Sequence, residues 1–230
     1  MPRKHTRKIN VEGGYYHIYN RGVEKRSIFV GKKDYQVFLN ILKTALSPPP
    51  NPQALVQSFT LKGSTFQGIP HQPKNCSGKL KLLAYCLMPN HFHLLVMQQT
   101  KNMMKQFMQS LATRYAVHFN KTHGRLGSLF ESVYKAVLVE TNEQFLHLSR
   151  YIHQNPMKFW EKPLKDYPYS SYAEYLGLRT TAWIQPKEIL AFFKSRRRIG
   201  SIDFTSYESF VETKDETPDP FLPGLTIDRP

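Results

Sequence analysis

KLKLLAYCLMPNHFHLLVM, Lys79 through Met97, is the stretch whose reading decides the fold. Two apolar runs meet at Pro89-Asn90, a pair that stops a strand and turns the chain. The stretch therefore predicts two antiparallel strands joined by a tight turn. Neither run approaches the ~18–20 apolar residues needed to span a membrane. Upstream, Tyr15–Arg21 (YYHIYNR) is aromatic and β-branched after Gly13-Gly14, the pattern of another strand. Between them, Asp34–Leu46 spaces Tyr35, Phe38, Leu39, Ile41, Leu42 and Leu46 at threes and fours, which predicts an amphipathic helix ended by SPPPNP. The Pro-, Gly-, Ser-, Gln- and Asn-rich chain over 47–79 reads as an inserted flexible loop, because structureless connections rarely exceed about 12–15 residues.

Downstream of the strand pair, Met103–Asn120 returns to helical period, with Met104, Phe107, Met108, Leu111, Tyr115 and Phe119 on one stripe. Val133–Glu140 is strand-like, and Asn142–Asn155 is again helical. The order strand, helix, strand, strand, helix, strand, helix predicts an α+β fold. Its expected form is a ferredoxin-like, split βαβ arrangement with helices on an antiparallel sheet. Residues 1–177 read as one domain. Residues 178–230 read as a small C-terminal extension: short helices at Trp183–Phe193 and Tyr207–Val211, the basic run Arg196–Arg198 between them, and a solvated acidic stretch over Asp203–Pro220.

Composition ranks the partners. The 230 residues carry a formal net charge of +15, which puts polyanions, nucleic acid first, at the head of the list. The basic start, Met1–Lys8, runs into Ile-Asn-Val-Glu-Gly-Gly rather than an apolar core. Cys76 and Cys86 make neither a disulfide framework nor a zinc set. A reducing cytoplasm is the expected compartment.

Two clusters carry chemistry. In His91-Phe92-His93 the imidazoles are two apart, so a strand presents both on one face at a spacing that one divalent ion can bridge. A His-x-His arises by chance roughly 0.35 times in a chain with this many histidines, so the motif alone also fits two histidines beside a turn. In Arg150-Tyr-Ile-His-Gln-Asn-Pro, Tyr151 and Asn155 are four apart and stack on one helix face. They read either as a phenol beside a metal ligand or as an aromatic above a C-capping asparagine before Pro156. His147, one turn earlier, is expected on the same face. Arg114, His118 and Lys121 follow helical spacing on the polar side of their helix, where a solvated face and a phosphate-contacting face look alike.

The combination is more specific than either half. LAYCLMPNHFHLLV (Leu83–Val96) resembles the metal-binding strand of the single-tyrosine HUH transposases, and RYIHQNPMK (Arg150–Lys158) resembles their nucleophile helix. YHIYNRG (Tyr16–Gly22) resembles the opening strand, and YPYSSY (Tyr167–Tyr172) the segment after the helix. The motifs stand in family order over about 13–177, and the branch they resemble most is that of the REP-associated tyrosine transposases. The resemblance implies metal-dependent nicking and strand transfer on single-stranded or hairpin DNA through a covalent 5′-phosphotyrosine. Tyr151 would be the nucleophile, and His91, His93 and Asn155 would be ligands of Mg²⁺ or Mn²⁺. Arg21, Arg114, Lys121 and Lys135 are candidate DNA contacts. Family members act as monomers or as dimers that exchange the tyrosine helix, so a homodimer stays open. The alternatives are a non-catalytic nucleic-acid-binding module, stacking bases on Tyr15, Tyr19 and Tyr85, and a hydrolase using the histidine pair with water.

Overall fold

A computed structural model of the chain describes residues 10–194, 206–213 and 220–222. The basic run Arg196–Arg198 and part of the acidic stretch lie outside them. Strands β1 (Tyr15–Arg21), β4 (Leu80–Met88), β5 (His91–Gln98) and β6 (Lys135–Val139) form one antiparallel sheet in the order β4-β5-β1-β6. Helices α1 (Lys32–Leu46), α2 (Met103–Thr122) and α3 (Asn142–Gln154) pack on it, as the alternation of elements predicts.

The strand alternation sorts the core into two layers. Ile18, Phe92, Leu94 and Val96 point to one face, where Phe38 and Leu42 of α1 and Phe107, Leu111 and Tyr115 of α2 cover them. Leu95 and Cys86 point to the other, beneath Phe145, Leu148 and Ile152 of α3. Each fully buried Leu, Ile or Phe stabilises by about 1.5–3 kcal/mol, so each layer is a main source of stability. Local signals place the helix ends. The Asp34 carboxylate accepts from the Val30 and Gly31 amides at the start of α1. Thr141 Oγ1 accepts from Gln144 N at the start of α3. Pro156 bars α3 from continuing, and Asn155–Lys158 runs on as a single 3₁₀ turn.

The segment over 47–79 departs from the flexible loop expected of it. Gln57–Leu61 (β2) and Ser64–Gly68 (β3) pair as an antiparallel hairpin. Lys62 and Gly63 turn it with φ of 49° and 84°. A two-residue turn with both φ positive matches the twist of paired strands, and Lys-Gly between two runs of Thr, Phe and Ser is its signature. The Pro and Gln content on either side obscures it. Phe59 and Phe66 stack across the hairpin at 5.7 Å.

The C-terminal segment joins the second layer. Its short helices are α5 (Lys187–Lys194) and α6 (Tyr207–Glu212), and α4 (Tyr172–Tyr175) lies just before it. Tyr172, Ile189, Tyr207, Phe210 and Val211 share the core of α3. The free edge of β4 is covered: Leu87 N donates to Tyr169 O, Ser171 N to Tyr85 O and Gln185 N to Leu82 O. Among the described residues no helix is long and apolar enough to cross a membrane, and both cysteines are free and buried.

Candidate active site

Register brings the chemistry to the α3 face of the sheet. Arg21 stands opposite His91. Tyr19 stands between His93 and Lys135, and His17 between Leu95 and Val137. Residues directly opposite share a face, so Arg21, Tyr19, His17, His91, His93 and Lys135 all look the same way. Tyr151 descends from α3 onto this row. Its ring centroid lies 5.4 Å from that of His93 and 6.2 Å from that of His17, edge-on to both.

The turn before the histidines is braced from below. Gly22 N donates to Asn90 O, Ile28 N and Phe29 N donate to Pro89 O, and Asn90 Nδ2 donates to Lys25 O. So anchored, Asn90 holds its Oδ1 2.6 Å from His91 Nδ1. A carboxamide oxygen only accepts, so His91 carries its proton on Nδ1 and leaves Nε2 as a lone pair.

His93 is fully buried, and its Nδ1 lies 2.9 Å from His17 Nε2. Burial first, then the charges of His17, His91 and Lys158, push its pKa well below the usual imidazole range. It is therefore neutral and able to offer a lone pair. Asn155 donates Nδ2 to Tyr151 O at 2.8 Å, which turns Oδ1 away from its own helix. His93 Nε2 and Asn155 Oδ1 are both buried with no hydrogen-bond partner. Two such atoms are costly unless something electropositive sits between them. A divalent cation fits that donor set, since neutral imidazole nitrogen and carboxamide oxygen accept Mn²⁺ and Mg²⁺. Among the described residues no group of three or more His, Cys, Asp or Glu side chains is set to hold a metal.

The other residues singled out in the sequence divide. Arg21 and Lys135 flank the site: Arg21 pairs with Glu131 at 3.0 Å, and Lys135 Nζ lies 5.6 Å from the centre of the Tyr19 ring. Arg114 and Lys121 are not brought there. Both ride on α2, which covers the opposite face of the sheet. Arg114 lines a cavity of about 660 Å³ with His71, Lys74 and Gln106, while Lys121 is exposed near the helix end. His147 also departs from expectation, because its ring packs on Phe210 and Phe221, away from the histidine row. The aromatics offered for base stacking differ in access. Tyr19 and Tyr85 are buried, Tyr85 faces Trp183, and the Tyr15 hydroxyl is held by Glu188.

His17 and Asn90 went unremarked as site residues in the sequence. The signal for His17 was present in YYHIYNR: a histidine on the alternate that faces a motif histidine on the paired strand.

The two-histidine strand beneath a tyrosine helix, on an antiparallel α+β sheet, is the arrangement that the resemblance to the single-tyrosine transposases implied. The family model described as "Transposase IS200 like" matches residues 71–155, the stretch holding His91, His93, Tyr151 and Asn155. Over that segment the chain is similar to the IS200-like transposases. Among solved structures it is similar to a REP-associated tyrosine transposase bound to a REP hairpin, at 13% identity and a TM-score of 0.48. That likeness covers 78% of this chain and 95% of that one. It is also similar to a putative transposase from Deinococcus radiodurans, at 15% identity and a TM-score of 0.35, covering 67% of this chain and 97% of that one. No curated protein matches.

Proposed function

We propose that the chain nicks and rejoins single-stranded or hairpin DNA through a covalent 5′-phosphotyrosine at Tyr151, with Mg²⁺ or Mn²⁺ held by His91, His93 and Asn155. One observation carries the reading. The Tyr151 ring lies 5.4 Å from the His93 ring within one chain, beside two buried acceptor atoms that lack partners. When bound, the ion would polarise a phosphate oxygen and fix the scissile group.

The protein's own groups account for the rest. Tyr151 Oη forms a bond to phosphorus as the bond from phosphorus to the 3′ oxygen breaks. The phenol proton passes to water, and the departing 3′ oxygen takes up a proton to become a hydroxyl. Joining is the same exchange in reverse with a different 3′-hydroxyl. One phosphate ester replaces another at each step, so no nucleotide cofactor is required. Arg21 and Lys135 flank the row and would meet the phosphates on either side of the scissile one. Arg114 and Lys121 would serve only DNA that reaches the opposite face. The Tyr151 and His93 rings lie together within one chain, which supports attack in cis. Residues 1–177 would carry the chemistry and 178–230 would support it.

The test is incubation with single-stranded oligonucleotides and Mn²⁺, followed by denaturing electrophoresis. The native protein should yield an adduct whose peptide maps to Tyr151. Tyr151→Phe should yield none while retaining most of its DNA binding, and a gel-stable adduct from that variant refutes the assignment. Chelator should abolish the native adduct.

A further inference from the structure

We infer that His17 is a positioning residue that fixes the tautomer and ring orientation of His93 by accepting its Nδ1 proton. The inference rests on the cation site proposed above.

The contact between His17 Nε2 and His93 Nδ1, 2.9 Å long, requires one proton between two imidazoles that are both fully buried. Two arrangements exist. If His17 donates, His93 must carry its own proton on Nε2, where it meets no acceptor. A buried N–H with no acceptor costs about 1–3 kcal/mol, and that proton would also block a cation. If His93 donates, Nε2 becomes a lone pair, and only this arrangement leaves that orphaned nitrogen able to meet a cation. The rings stack at 5.1 Å between centroids with 20° between planes, so His17 also limits rotation of His93.

The backbone makes the pairing a property of the fold. His93 stands opposite Tyr19, and His17 is the next residue along β1 on the same face. The two reach one another diagonally across the strand pair. His17 is no third ligand, because the nitrogen that faces the row is already taken up by His93. The two motif histidines are thus set by different partners: Asn90 holds His91 from within the turn, and His17 holds His93 from the neighbouring strand. Partners of this kind typically contribute 10–100-fold to metal affinity.

Two measurements test the assignment. In the native protein without metal, long-range ¹H–¹⁵N correlation of the imidazoles should show His93 protonated on Nδ1 and bare on Nε2. The opposite tautomer overturns the inference and needs no variant. Second, Mn²⁺ affinity without DNA, read by electron paramagnetic resonance, should fall 10–100-fold in His17→Leu. In His17→Gln, whose amide oxygen still accepts, it should fall much less. Native affinity in His17→Leu, or equal losses in both variants, overturns it. His93→Ala separates the two levels of argument. If His93→Ala binds Mn²⁺ as the native protein does, the cation site itself is wrong. If His93→Ala loses binding and His17→Leu keeps it, only the role of His17 falls.

Discussion

Removing one oxygen atom at Tyr207 tests whether a hydrogen-bonded network ties the C-terminal segment to α3. The Tyr207 hydroxyl lies 2.7 Å from His153 Nδ1 and donates to Ser149 Oγ at 3.1 Å. Ser149 in turn donates to Leu146 O at 2.7 Å, and the other His153 nitrogen, Nε2, lies 2.8 Å from Ser171 Oγ. One assignment satisfies the whole chain: Ser171 donates to His153, His153 to Tyr207, Tyr207 to Ser149 and Ser149 to the backbone. Burial depresses the His153 pKa to about 3, so the ring is neutral at physiological pH and carries the single proton this assignment needs. Tyr207→Phe leaves the aromatic packing on Tyr175 and Phe193 in place. It strands a buried imidazole N–H, a loss of about 1–3 kcal/mol, which lowers the Tm of a chain this size by roughly 2–10 °C. The assay is urea unfolding with an unchanged slope, repeated for His153→Leu and for the double variant. A coupling energy of at least ~0.5 kcal/mol between the two positions is expected, because contacting residues in one network are not additive. Additive effects, or a Tyr207→Phe midpoint equal to that of the native protein, refute the network.

Other expectations follow from the same geometry. The Asp34 pKa is a balance: burial raises it, but the hydrogen bonds from His123, Val30 and Gly31 outweigh burial and hold it below 3.8. A depressed carboxylate contributes stability above its unfolded pKa and loses it as pH falls through the folded value. Native stability, measured by urea unfolding, should therefore drop below about pH 4, and Asp34→Asn should flatten that part of the profile. A Cβ at Gly22 would sit 2.3 Å from Arg26 O and 2.9 Å from Ile28 Cγ2. Gly22→Ala should therefore destabilise by about 1–3 kcal/mol through overpacking alone, since its φ of −61° suits any residue. Thermal unfolding within 1 °C of the native midpoint would contradict this.

The fold was legible wherever periodicity was strong. The apolar runs around Pro89-Asn90 and the stripe Met104–Phe119 predicted their elements to within a few residues, because both are amphipathic or fully buried by construction. The hairpin over Gln57–Gly68 was not legible, because its burial is slight and the signal rests on Lys62-Gly63 alone. For the site, the spacings placed His91 with His93 and Tyr151 with Asn155 but said nothing of how strand and helix meet. Arg114 and Lys121 show the limit most plainly. Charge and helical spacing single them out, yet the side of the sheet that α2 takes is settled by Phe92, Leu94 and Val96, which α2 covers.

The clamp on α3 shows why the family segment is not self-sufficient. The matched stretch ends at residue 155, within the motif that carries Tyr151 and Asn155. The side of α3 that faces away from the sheet is held by residues beyond it. Gln154 Nε2 donates to Val211 O at 2.6 Å, and Arg150 donates to Thr213 O while lying over Phe210. His153 is held by Tyr207 and Ser171. If Tyr151 attacks in line as proposed, its phenol must stay oriented to within about half an ångström, which a single helix resting on a sheet secures less well than one gripped from both sides. The polar residues of RYIHQN therefore divide by helix face. Tyr151 looks down at the histidine row, and Arg150, His153 and Gln154 look up at α6 and its flanks. That division explains a motif so rich in polar groups on a helix that buries Ser149, Arg150 and His153.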